Sequence, residues 1–149
     1  MSEIWKPNVV VAAICEREGR FLLVEEETAE GLRLNQPAGH WERNETLMQA
    51  VVREAMEETA HVVEPTDLLG AYTTYNPARD ITYLRFAYVC RVVGFEPNYQ
   101  LDQGIVRAVW LTPEEVEKSP IRHRSALVMR CIHDYLAGRR FPLDFVTHA

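Results

Sequence analysis

Three carboxylates and one guanidinium crowd into the six residues Arg53-Glu54-Ala55-Met56-Glu57-Glu58, inside the stretch Gly39 to His61, and any fold of this chain must accommodate them. In a helix, Glu54, Glu57 and Glu58 fall at i, i+3 and i+4 and share one face, within an arc of roughly 100° at about 3.6 residues per turn. Thr46 and Gln49 form the S/T-x-x-E/Q pair that opens such a helix. Leu47, Val51, Val52, Ala55 and Met56 supply an apolar stripe on roughly the opposite side, so one face packs on a core while the other presents acids. Like charges at this spacing repel by roughly a few tenths of a kcal/mol per pair. A cation held between them removes that penalty, and an oxygen-only ligand set suits Mg²⁺ or Mn²⁺. For an isolated E-x-x-E-E, the solvated face of an amphipathic helix is the commoner explanation. The residues around it decide between the two.

The rest of the chain limits what those residues serve. At 149 residues it is expected to form one domain, residues 1–149, with room for a substantial core. A net charge of −6 argues against a nucleic-acid polymer as partner but not against a small phosphorylated molecule, because a bound metal and a few local arginines invert the field. The first ten residues lack the basic start and long apolar run of a signal peptide, and no stretch is long and apolar enough to span a membrane. Cys15, Cys90 and Cys131 are odd in number, widely spaced and set among apolar residues, which reads as buried free thiols in a reducing cytoplasm. Oligomeric state, monomer or homodimer, is left open.

Val9 to Cys15 and Phe21 to Val24 read as a hairpin of buried strands turning at Glu18-Gly19. Glu25 to Glu27 reads as a solvated strand end, and Leu32 to Gln36 as a short strand stopped by Pro37. Asp67 to Tyr75 and Ile81 to Val93 are two long strands joined by a loop of turn-forming residues. Their tyrosines are mostly sheet packing, with Tyr75, next to the loop, the first candidate to stack on a substrate ring. Arg85, inside an otherwise apolar strand, needs an anionic partner: a buried glutamate or a substrate phosphate. Val106 to Leu111 is a further strand. Thr112-Pro113-Glu114-Glu115 opens a short helix, and Ser125 to Ala137 forms the last one, with Gly138 just past its end. Of the basic residues Arg122, His123 and Arg124 before that helix, Arg124 is the candidate phosphate contact, with solvated charge as the plainer account. Arg139 and Arg140 complement the helix dipole. This order of elements supports a mixed sheet covered by helices on both faces.

Gly39, five residues, Glu45, seven residues and then Arg53-Glu54-x-x-Glu57-Glu58 resembles the signature of the Nudix hydrolases, G-x5-E-x7-R-E-U-x-E-E-x-G-U with U apolar. Two positions depart from it: Ala60 stands for a glycine that usually ends the helix in a left-handed conformation, and His61 for an apolar residue. Asn35 to His40, Tyr83 to Phe86 and Arg139 to Leu143 are similar to the NudJ phosphatase branch of the family. The resemblance implies an α+β fold, an αβα sandwich with a mixed, curved β-sheet between helices.

It also implies the chemistry. Glu54, Glu57 and Glu58 would hold one to three Mg²⁺ ions, with the Gly39 carbonyl as a further ligand. Arg53 and Glu45 would orient these carboxylates, and Glu54 or Asp102 would serve as general base. His40 lies near the site in the family. The branch implies release of orthophosphate from nucleoside di- and triphosphates and from hydroxymethylpyrimidine pyrophosphate, a thiamine intermediate. Two alternatives stand beside it: a Nudix pyrophosphatase for ADP-ribose or dinucleoside polyphosphates, and a catalytically silent module that binds a nucleotide.

Overall fold

A computed structural model describes residues 2–149. In chain order its elements are β1 (Asn8–Ile14), β2 (Glu16–Arg17), β3 (Arg20–Thr28), β4 (Gly31–Asn35), β5 (Ala38–His40), α1 (Leu47–Thr59), β6 (His61–Asn76), β7 (Ile81–Phe95), β8 (Ile105–Leu111), α2 (Pro113–Glu117), α3 (Leu127–Leu136) and a 3₁₀ turn at Leu143–Phe145. One sheet has the order β5-β1-β7-β6, in which only β1 and β7 run parallel, from Asn8 opposite Tyr83 to Ile14 opposite Val89. In the other, β3 pairs antiparallel with β2, β4 and β8. The fold is a mixed α+β sandwich.

Strand β1 shows why its sequence is apolar at every position from Val9 to Ile14 rather than at alternate ones. Val11 and Ala13, with Cys15 just beyond the strand, pack with Leu47, Ala50, Val51 and Ala55 of α1. Ala12 and Ile14 face the other way, onto Leu127, Val128, Cys131 and Ile132 of α3. A strand covered on both faces has no solvent side to alternate with. The sheet is thereby clamped between α1 on one face and α2 with α3 on the other, which is the expected sandwich.

The hairpin expected between the first two apolar runs is mostly absent. The turn is where the sequence places it, with Glu18 at φ 52° and Gly19 at φ 78°. Only Glu16 and Arg17 pair across it, with one further bond from Leu22 N–H to the Cys15 carbonyl, and β1 then leaves to join β5 and β7. An unbroken apolar run reports burial but not which strand lies alongside. The acidic run is only in part a solvated end, with Glu27 exposed but Glu25 buried. Glu25 to Glu27 lie within β3, where Glu25 meets Arg107 at 3.0 Å and Glu26 meets Arg124 at 3.0 Å.

Both halves of the Thr46–Gln49 capping box are formed at the start of α1. At its other end, Ala60 takes the left-handed conformation of the usual glycine, φ 59° and ψ 16°, and its N–H donates to the Met56 carbonyl. The helix therefore stops in the usual way, at a strain of about 1–2 kcal/mol for a residue with a Cβ. His61 fills the following apolar position as a neutral ring. Its Nδ1–H donates to the Thr59 carbonyl at 2.7 Å, and Phe95 and Trp110 flank it with ring centroids 4.7 and 5.7 Å away. Burial lowers its pKa, so the imidazole stays uncharged and behaves as a shaped apolar group. Cys15, Cys90 and Cys131 are all buried free thiols. Among the described residues no helix is long and apolar enough to cross a membrane.

Candidate active site

The carboxylate face of α1 is not solvated. Glu54 and Glu58 are 8% and 7% exposed, because the helix lies with that face against β5 and the segment leading into it. The Ala38 N–H donates to Glu58 Oε1 at 3.0 Å. Gly39 faces the Glu54 carboxyl so closely that a Cβ there would collide with it, which explains the glycine. Burial is the main cause that pushes the Glu58 carboxyl up to about 9, with repulsion from Glu26, Glu54 and Asp102 adding to it. Burial likewise raises Glu54 to about 7 against the opposing pull of Arg53.

Arg53 is the hub of this wall. Its Nε and Nη2 donate to the two oxygens of Glu45 at 3.0 and 2.8 Å, a bidentate pair that holds the Glu45 carboxyl below its usual range. Its Nη1 donates to Glu54 Oε1 at 2.7 Å and to Glu57 Oε1 at 2.8 Å, and Nη2 also reaches the His40 carbonyl at 2.9 Å. Glu45 in turn accepts the Glu42 N–H at 2.8 Å, and the Trp41 indole donates to the Glu45 carbonyl. Box residues scattered from Glu45 to Glu57 are thus tied to one guanidinium.

These donors fit a hard divalent cation in type. Glu54, Glu57 and Glu58 each bond to protein through one carboxyl oxygen, so three other oxygens remain, with no sulfur or imidazole among them. In the present arrangement, with Arg53 between Glu54 and Glu57, no three acidic, histidine or cysteine groups among the described residues converge as a metal cage. The guanidinium stands as counter-ion for the acids.

A cleft of about 680 Å³ opens beside this wall, and it brings most of the sequence candidates together. Gly39, Glu54 and Glu58 line one side, and His40, Tyr75, Arg85 and Arg124 line it elsewhere. His40 Nε2 lies 3.3 Å from the Asn8 amide, a structural contact at the rim. Tyr75 is 56% exposed and its hydroxyl donates to Asp80. Arg124 is not merely solvated charge, since it pairs with Glu26 at 3.0 Å inside the cleft wall. Arg139 and Arg140 lie just past the C-terminal end of α3 and add side-chain contacts to the dipole complement expected of them. Arg139 bonds the Asp134 carboxylate at 3.3 Å, and Arg140 lies 4.3 Å over the Tyr135 ring while also reaching that residue's carbonyl.

Glu57 and Asp102 do not line the cleft. Asp102 is exposed, tied through its N–H to the Glu57 carbonyl at 2.9 Å, and acts on the site only through its field on Glu54 and Glu58. Arg85 is 4% exposed and has no glutamate partner. Its Nη2 donates to Asn35 Oδ1 and its Nη1 to Gln36 Oε1, both at 2.9 Å, with Cys131 Sγ farther off at 3.7 Å. Asn35, the last residue of β4, and Gln36 after it are buried polar residues of the site that carry no recognisable motif in the sequence. Two adjacent amides ahead of Pro37 were the available signal.

Comparison with known proteins gives the family of the chain. A profile of the NUDIX domain matches residues 5–130. Phosphatase NudJ of Shigella boydii serotype 4 (strain Sb227) is 37% identical over 144 residues, which is 96% of this chain and 92% of that protein. Phosphatase NudJ of Escherichia coli (strain K12) is 36% identical over the same shares. A solved NUDIX hydrolase from Nitrosomonas europaea superposes with a TM-score of 0.93 at 46% identity, covering 97% of this chain and 98% of that one.

Proposed function

The chain belongs to the Nudix hydrolase family, and we propose that within it this protein is a Mg²⁺-dependent phosphohydrolase of NudJ type. In this reading it removes orthophosphate from nucleoside di- and triphosphates and from hydroxymethylpyrimidine pyrophosphate. The observation that carries it is the pairing of Glu54 and Glu58 on one wall of the cleft, with Gly39 set against Glu54. An acid wall with raised proton affinity is costly to keep ionised near neutral pH unless a cation completes it. The near full-length likeness to proteins named phosphatase supports terminal-phosphate release over cleavage between inner phosphates.

The residues that would hold the ion are Glu54, Glu57 and Glu58 with the Gly39 carbonyl. A divalent cation there supplies charge neutralisation of the phosphoanhydride oxygens and lowers the pKa of the attacking water. The chain's own groups do the rest. Arg53, fixed by Glu45, sets the rotamers of Glu54 and Glu57. A proton must leave the water as its oxygen bonds to phosphorus and the bridging P–O bond breaks. Of the two candidate bases, Glu54 is the better placed, since it lines the cleft. Asp102 stands outside the lining and acts on Glu54 through its charge. Arg85, Arg124, His40 and Tyr75 are the substrate contacts.

A product-resolved assay tests this reading. Purified protein with Mg²⁺ is offered GDP, GTP, hydroxymethylpyrimidine pyrophosphate, ADP-ribose and a diadenosine polyphosphate, and phosphorus is followed by NMR. Orthophosphate from the first three is expected. Cleavage confined to ADP-ribose or the dinucleotide overturns the substrate, and turnover of none overturns the enzyme.

A further inference from the structure

Arg85 is a buried charge without a counter-ion. Among the described residues no carboxylate lies within 4.0 Å of its guanidinium, and its acceptors are the neutral amide oxygens of Asn35 and Gln36. Cys131 beside it does not supply a thiolate, because burial holds that thiol above its usual pKa. Asp134, farther along α3, is already engaged by Tyr72, Arg130 and Arg139. Taking a guanidinium out of water costs several kcal/mol, about as much as the full worth of many native contacts. A chain that only needed to tie β4 to β7 would do so with a neutral side chain.

The surroundings of Arg85 hold it ready rather than neutralise it. Gln36, 2% exposed, accepts from Arg85 through Oε1 and donates through Nε2 to the Val128 carbonyl, so its orientation is locked from both ends. Asn35 accepts from Arg85 through Oδ1, which leaves its Nδ2–H₂ without a protein acceptor. No buried side-chain nitrogen or oxygen lacks a partner among the described residues, so that amide group is open to the cleft that Asn35 lines. Helix α3 also begins at this cleft, at Leu127, whose N–H donates to Ser125 Oγ at 3.1 Å, and adds the positive end of its dipole.

We propose that Arg85, presented by Gln36 and flanked by the Asn35 amide, is a phosphate subsite of the cleft that takes a tetrahedral phosphoryl group of the substrate. This deepens the hydrolase reading of the same cleft.

The test needs no turnover. Inorganic pyrophosphate is titrated calorimetrically into the full chain in EDTA, and thermal unfolding is followed alongside. The wild type is expected to bind. Arg85→Gln, which keeps amide donors but removes the charge, is expected to weaken binding by about tenfold or more, the equivalent of one charge-assisted contact. Asn35→Asp places a carboxylate where the guanidinium now meets an amide. It is expected to raise the unfolding temperature and to abolish the pyrophosphate affinity together, which a purely structural Arg85 would not produce. No binding by the wild type, or equal binding by Arg85→Gln, overturns the proposal. Should Arg85→Gln fail to fold, Asn35→Asp decides: undiminished affinity or a lowered unfolding temperature overturns it. Because metal and hydrolysis are excluded, an inactive protein that still binds through Arg85 separates failure of the hydrolase reading from failure of this one.

Discussion

Replacing Glu58 by Gln is expected to lower kcat by about 10²- to 10³-fold at saturating Mg²⁺, the scale of losing one preorganised electrostatic contact to the reacting group. The amide has nearly the shape of the carboxyl, and its oxygen still accepts from the Ala38 N–H that now bonds Glu58 at 3.0 Å. Packing is therefore kept and only the charge is lost. Stability should move the other way. Burial raises the Glu58 carboxyl from an ordinary 4.5 to about 9, so the folded chain binds this proton more tightly than the unfolded chain. Its favourable contribution is complete below about 4.5 and is lost as pH rises through about 9. Without metal, the Gln variant should then unfold at a higher temperature than the wild type at pH 8 and show a flatter pH dependence. Near-wild-type turnover, or a variant less stable than the wild type at that pH, contradicts the role given to Glu58.

The second large effect concerns Arg53. Arg53→Met removes five short hydrogen bonds, to both Glu45 oxygens, Glu54, Glu57 and the His40 carbonyl, and leaves three carboxylates facing one another. Removing one partner of a buried ion pair costs about 3–5 kcal/mol, and since the Arg53 side chain is 23% exposed the lower end applies. For a chain of this size, that loss lowers the unfolding temperature by roughly 10 °C. Excess Mg²⁺ should recover part of it by replacing the missing positive charge. Activity should fall by about 10- to 100-fold, as when groups that orient metal ligands are removed. Thermal denaturation with and without Mg²⁺ measures the first effect and initial rates the second. An unfolding temperature unchanged by the substitution contradicts the hub.

Much of this was legible because the sequence carries local rules that the fold obeys. The Thr46–Gln49 box, the i, i+3, i+4 carboxylates and the apolar stripe all concern one helix, whose geometry depends on near neighbours. The Thr112 cap and most of the two long strands were legible for the same reason, although β6 starts at His61, ahead of the expected Asp67. Pairing was not. Val9 to Cys15 shows where apolar residues are buried, yet β1 takes a partner 75 residues away, Asn8 opposite Tyr83, and no local pattern encodes that choice. Side-chain partners were equally hidden. Arg85 signalled the need for an anion, but neutral Asn35 and Gln36, about fifty residues earlier, are what it meets. Glu26 read as solvent-facing until Arg124, which is distant in sequence, was brought beside it. Long-range contacts decide these cases, and they arise only once the sheet is assembled.

The acid wall of α1 is the centre of the account, and Mn²⁺ titration by calorimetry addresses it most directly. The titration is run near pH 7 in two buffers of different ionisation enthalpy, with wild type and Glu58→Gln. With Glu58 at about 9 and Glu54 at about 7, a cation that binds there must displace protons, so uptake by the wild type should release about one to two per site filled. Affinity should rise with pH up to about 9, and the Gln variant should bind more weakly and release fewer protons. Absence of binding, or binding that releases no protons and is the same in both proteins, would contradict it.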